Sequence, residues 1–326
     1  MDASAIYWNP AMLGFMKRGE VFAGVGVVGG QISYDRVRRS TYQYGDSLAF
    51  NEPIDPGYLD PESLGSGGLV KSPVISPWGE VFAAYPVLPD RLVAGLGFYV
   101  PYAAPLNFPD DGPQRWQLQQ AFIAVTRLTG SLAVKVNERV SFGAGVSYVF
   151  GLASLRKVQD FAAVDDLADG LAADPLNQDN VLGSDAPPSV RELDVLSRPI
   201  SFTDGISHGV SFNVGAAFRP TDALTIGLDY DHGSRVRFKG DFALDMNDDF
   251  FTQDLASEGL AFPPLVEGQG ELSFRMAKRV MLGLGYDINP RVRVGGNFAF
   301  VMWSDLDAFD FTISSPDLAQ PALGIP

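Results

Sequence analysis

The chain has no cysteine. That excludes disulfides, thiolate metal sites and a cysteine nucleophile, and is compatible with an oxidising export route. It also carries little charge: 19% of its 326 residues are charged, and acids outnumber bases to a net −15. A phosphate-binding surface needs clustered Lys and Arg, so nucleic acid is not an expected partner. Only two histidines are present, with no His-Glu-x-x-His, no Gly-x-Ser-x-Gly and no phosphate loop. Ser207 beside His208 makes no catalytic pair, because neighbours in a strand point to opposite faces. No enzymatic activity, metal or cofactor is expected. The chain has no apolar run near the roughly 20 residues of a membrane-spanning helix; Val21 to Gly30 is short and rich in glycine. Met1-Asp2-Ala3 lacks the basic start and apolar core of a signal peptide. The sequence is therefore read as starting inside a longer one.

What is present is alternation. From Arg139 to Gly151, Val140, Phe142, Ala144, Val146, Tyr148 and Phe150 are apolar. The residues between them are small or polar, with Val149 as the one slip. A period of two means a strand with two unlike faces. Soluble strands usually run about five or six residues, whereas about ten, apolar outward and small or polar inward, are needed to cross a bilayer as part of a barrel. The preceding Leu132, Val134 and Val136 alternate likewise, joined through a tight turn at Asn137-Glu138. The same pattern recurs along Leu92–Val100, Val210–Phe218, Leu224–Tyr230 and Val280–Tyr286.

Connections near 89, 137, 221 and 289 are tight, and those between them are long and polar. One rim of short turns and one of long loops is the asymmetry of an outer-membrane barrel, with turns periplasmic and loops extracellular. The reading is an all-β antiparallel transmembrane barrel of about nine strands over 19–326, with long loops at 35–76, 104–115, 158–205, 244–270 and 304–326, preceded by a segment at 1–18. Nine is odd, and single-chain bacterial barrels close on an even number. An open edge in lipid is costly, so the sequence is read as truncated at both ends.

Several stretches together resemble one family. They are Asp2-Ala3-Ser4 through Asn9-Pro10-Ala11, Ser141-Phe142-Gly143-Ala144-Gly145, Phe212-Asn213-Val214-Gly215 with Arg219-Pro220-Thr221-Asp222, Val236 to Phe242, and Met302-Trp303-Ser304. The chain resembles the FadL-type long-chain fatty-acid outer-membrane transporters (OMPP1/FadL/TodX), in order and over nearly its whole length. The resemblance implies a monomeric barrel, fourteen-stranded in full, plugged by an N-terminal hatch of which 1–18 is part. It implies passive transport of hydrophobic compounds, long-chain fatty acids first and hydrocarbons or aromatics second. Loops capture them, an interior site holds them, and they leave sideways at a kinked third strand. Outer-membrane lipid and lipopolysaccharide are then expected surroundings. The alternative is a general porin or structural outer-membrane barrel.

Site residues follow from residues and resemblance together. Asn9-Pro10-Ala11 matches the hatch motif, expected near the wall opening; taken alone it is an ordinary turn. Pro101 and Tyr102 fall at the third-strand kink, since proline removes a ladder donor; a strand end with an interfacial Tyr fits them equally. Lys157 aligns where the family has a basic residue facing the ligand, more often Arg, so a carboxylate partner is implied. Arg156 is the neighbouring candidate, and a rim cation is the other reading of both. Phe161, Val164, Leu167 and Leu171 share one helical face that could line a capture groove or pack on its own loop. Asp165, Asp166, Asp169 and Asp174 lack the spacing of a Ca²⁺ loop and are read as solvated.

Overall fold

The computed structural model describes residues 2–36, 68–160, 197–248, 250–254, 262–289, 291–306 and 308–319. Helix α1 (Ala5–Trp8) and a 3-10 helix (Pro10–Phe15) come first. The strands are β1 (Glu20–Arg36), β2 (Gly68–Leu88), β3 (Leu92–Asn107), β4 (Gln120–Lys135), β5 (Val140–Asp160) and β6 (Ser197–Phe218). After these come β7 (Leu224–Asp231), β8 (Arg235–Asp245), β9 (Leu265–Arg275), β10 (Lys278–Asn289), β11 (Val292–Met302) and β12 (Asp310–Ser314). Among the described residues all pairings are antiparallel, and the twelve strands form one sheet. They make nine crossings, because β7 and β8, β9 and β10, and β11 and β12 are three crossings each broken midway. The antiparallel barrel wall expected from the alternation is what the sheet forms. Among the described residues no helix is long and apolar enough to cross a membrane; strands do it here.

Tight turns are built by side chains. The Asn137 Oδ1 accepts from the backbone N–H groups of Arg139 (2.8 Å) and Val140 (2.9 Å). Asn289 repeats this with Arg291 and Val292, both at 2.9 Å. Short polar side chains that mimic a backbone turn favour such positions.

In the half nearest these turns, Phe142, Val146, Tyr148, Val214 and Leu228 are exposed on the outer face. The inner residues are small because the hatch occupies the space. Ile6, Leu13 and Met16 pack against Phe82, Ala84, Val93, Tyr99 and Ala133 of the wall. A Cβ on Gly95 would lie 2.8 Å from Ile6 Cδ1, and one on Gly143 would fall on the backbone between Pro10 and Ala11. Glycine at these positions lets the hatch backbone approach the wall.

In the half nearest the long loops the pattern reverses. Along β8, Arg235, Arg237, Lys239, Asp241 and Asp245 are exposed, while Val236, Phe238, Phe242 and Leu244 are buried inside. This corrects the loop boundaries read from sequence. Strand occupies 68–76, 104–107, 158–160, 197–205, 244–245, 265–270 and 310–314, all assigned to loops by a lipid-facing rule. A strand that rises into water shows the opposite alternation, and β2 and β3 carry prolines as well. Phe161, Val164, Leu167, Leu171 and the acidic cluster from Asp165 to Asp174 lie outside the described residues.

Candidate functional site

The interior is layered, and β4 and β5 record the layers as they rise from the turns. Inward residues of β4 run Ala133, Ser131, Thr129, Arg127, Val125; those of β5 run Ser141, Gly143, Gly145, Ser147, Val149, Gly151, Ala153, Leu155, Lys157.

The lowest layer is the hatch, and Asn9 fixes it. Its Oδ1 accepts from Ala11 N at 3.0 Å, and its Nδ2 donates to Ala216 O and Leu228 O at 3.1 Å each. Pro10 opens the 3-10 helix, where a missing N–H costs nothing. Ala11 is fully buried against β5. The motif thus sits on β5, β6 and β7, and the neighbouring Tyr7 reaches β3, its ring 5.0 Å from that of Tyr99.

Above lies a charged layer that alternation does not reveal. Arg127 Nη1 is 2.6 Å from Asp231 Oδ2, and Arg279 Nη2 is 3.7 Å from the same oxygen. The other arm of Arg279 donates to the Tyr7 hydroxyl at 2.7 Å. These groups come from four distant segments, so only the register brings them together. The available signal was a lone Arg127 in a row of small inward residues.

Higher still is an apolar layer. Val125, Val149, Ala153, Phe202, Val236, Phe238, Leu272, Phe274 and Met276 form one buried cluster. The Phe238 and Phe274 rings stack with centroids 5.8 Å apart, and Phe202 meets Phe311 edge-on at 5.5 Å. Val149, the slip in the alternation, belongs to this layer. A bulge at Thr203 and Asp204, with Asp204 at φ 53°, turns Phe202 inward.

Lys157 crowns the cluster. It pairs with Ile200, which pairs in turn with buried Leu244, so it shares their inward face. This row lies above Leu152 and Ile206, the highest exposed apolar residues of β5 and β6, and hence above the lipid-facing band. Lys157 is partly buried, and no hydrogen bond or ion pair joins its ammonium to a described residue. Burial alone pushes its pKa below the ordinary lysine value. Arg156 points to the other face and ion-pairs with Asp110. The structure therefore separates the two candidates.

The β2–β3 ladder runs only from Leu88–Leu92 to Glu80–Tyr99. Beyond Tyr99 the two strands are joined by serine hydroxyls: Ser76 Oγ donates to Ala103 O at 3.2 Å and Ser72 Oγ to Asn107 O at 2.6 Å. Pro73 and Pro77 on one strand and Pro101 and Pro105 on the other cannot donate to a ladder. Against β4, one extra residue is inserted between Tyr99 and Tyr102. The bulge sets Tyr102 opposite the buried Val125, hence inward. Beside the hatch, a 280 Å³ cavity is lined by Trp8, Asn9, Met12, Asp229, Met281 and Arg293, among others.

A wall apolar outside, plugged inside and seamed on one side defines an outer-membrane β-barrel of the transport class. Residues 1–321 match the family described as outer membrane protein transport protein (OMPP1/FadL/TodX), and the chain belongs to that family. Among solved structures, a FadL homologue of Pseudomonas aeruginosa is similar at 21% identity and TM-score 0.65, covering 97% of this chain and 67% of that one. The toluene transporter TbuX of Ralstonia pickettii is similar at 17% identity and TM-score 0.61, over 98% and 72% of the two chains. The CymD monoaromatic hydrocarbon channel is similar at 16% and 0.60, over 98% and 69%. At these identities the likeness is one of fold. No curated protein matches the chain.

Proposed function

We propose that this outer-membrane protein passes hydrophobic molecules across the membrane without an energy source, with long-chain fatty acids as its first substrate class. The observation that carries the reading is Lys157, an inward-facing cation without a described partner above a layer of buried aromatic and aliphatic side chains. A partly buried unpaired charge is costly, and a carboxylate would neutralise it while its acyl chain replaces apolar contacts below. Molecules enter from the long-loop rim and leave through the serine-bridged, proline-bearing seam between β2 and β3, beside Pro101 and Tyr102. The Arg127–Asp231–Arg279 layer closes the straight path to the hatch and directs the ligand toward that seam. A polar porin is disfavoured by an apolar layer inside the wall.

A second reading, uncharged aromatic hydrocarbons, is favoured by Phe202, Phe238, Phe274 and Phe311 in that layer. It is also the substrate class named for two of the similar structures. Binding of oleate, of an alkane of similar length and of toluene separates the readings. A charge-assisted hydrogen bond is worth roughly 1.5–3 kcal/mol, so Lys157→Ala should weaken oleate about ten- to a hundredfold and leave the alkane unchanged. Because the lysine pKa lies low, oleate affinity should fall on raising the pH before an ordinary lysine loses its proton. Equal losses for oleate and alkane would mean that Lys157 shapes the path without pairing a charge.

A further inference from the structure

Near its upper edge the lipid-facing band carries an aromatic belt, with exposed Leu152 and Ile206 one row higher. Tyr148 OH meets His208 Nδ1 at 2.5 Å, the Phe212 ring stacks on His232 at 4.7 Å, and Tyr230 OH lies 3.1 Å from His232 Nδ1. Such belts mark the boundary between hydrocarbon and headgroups. Level with the Tyr148–His208 pair on the outer face stand Arg235, Arg237 and Arg275. Arg235 and Arg275 are opposite each other across the β8–β9 ladder. The backbone N–H of Arg237 donates to the Ser207 hydroxyl at 2.9 Å, which sets Arg237 level with His208. All three arginines are exposed, and their side chains make no hydrogen bond or ion pair with a described residue.

Like charges directly opposite in a strand pair repel, and this chain has few cations for its net charge of −15. Three carboxylates stand nearby, and one of them, Asp305, is also attracted by Arg275. Asp305, which borders the recess beside Arg235 and Arg275, is held by Lys278 N at 3.2 Å and Nζ at 3.1 Å. Glu271, one row higher, lies 3.7 Å from Lys239 Nζ. Asp310 also borders the recess.

We infer that Arg235, Arg237 and Arg275 hold the phosphate groups of lipid A in the outer leaflet, its acyl chains lying on the apolar band beneath. Guanidinium forks match phosphate oxygens two at a time, which explains arginine in place of lysine. The cluster continues the membrane surface of the wall, and the headgroup level is where lipid phosphates lie. A free anion would find the charges but leave the band below unused. This inference rests on the long-loop rim facing outward.

The test uses the whole chain in detergent, with native mass spectrometry after adding diphosphoryl lipid A, the same lipid stripped of phosphate, or inorganic phosphate. The wild type should bind the phosphorylated lipid at least about tenfold more tightly than the stripped one. R235Q/R237Q/R275Q should lose that preference and bind both alike. R235K/R237K/R275K should keep part of it, and R139Q/R291Q on the opposite rim should keep all of it. If the glutamine variant does not fold, the lysine variant and the two lipids on the wild type still decide. Equal binding of both lipids by the wild type, or an unchanged preference in the glutamine variant, overturns the site. Full displacement of the lipid by inorganic phosphate overturns the choice of lipid A. Thiol labelling of Asp245→Cys only after the outer membrane is breached would overturn the orientation instead, with the phosphate preference still readable.

Discussion

The two halves of the wall obey opposite rules with the same backbone. Near the turns, Val146 faces outward and Ser147 inward. Near the loops, Lys239 faces outward and Phe238 inward. What changes is the medium outside: hydrocarbon around one half, headgroups and water around the other. What fills the inside changes with it. The hatch brings its own apolar surface and needs small residues opposite. Above it, the wall supplies the apolar groups itself, and these are the groups a hydrophobic ligand would touch.

That contrast can be broken by substitution. The largest effect is expected at Phe238→Ala, which opens a hole in the upper cluster and should destabilise by about 3–5 kcal/mol in denaturant unfolding. Val146→Arg comes next. A charge at mid-bilayer on the lipid face should reduce insertion by roughly 2–4 kcal/mol, read from folding into liposomes. Asn9→Ala removes three hydrogen bonds that seat the hatch, one of them its own cap. It should cost about 1–3 kcal/mol and make the hatch more open to proteolysis, leaving the wall intact. Lys239→Ala should be the mildest, within about 0.5 kcal/mol, because its side chain stands in water. A cost at Lys239 equal to that at Val146 would mean the two halves share one environment.

The lower half was legible because its signal is long and simple. The alternation over Val140–Phe150 and the turns at Asn137 and Asn289 needed no tertiary information. The upper half was hidden by the same rule, since a search for apolar-outward strands reads Arg235–Asp245 as noise. Prolines hid the upper ends of β2 and β3. Of the site, Pro101 and Tyr102 read equally as a kink or a strand end, and the register shift between Tyr99 and Tyr102 shows a bulge inside the strand. Lys157 and Arg156 could not be told apart until the register put one inside and the other on Asp110. The Arg127–Asp231–Arg279 layer was invisible because its members meet only across the barrel. The break after β7 brings His232 beside Phe212 in the upper belt.

The reversal itself is tested most directly by two single-cysteine variants, Val146→Cys and Asp245→Cys, each carrying a small fluorophore in lipid bilayers. Brominated acyl chains should quench the label at 146 and spare the one at 245, and aqueous iodide should do the opposite. Equal quenching of both labels by either agent would contradict the account.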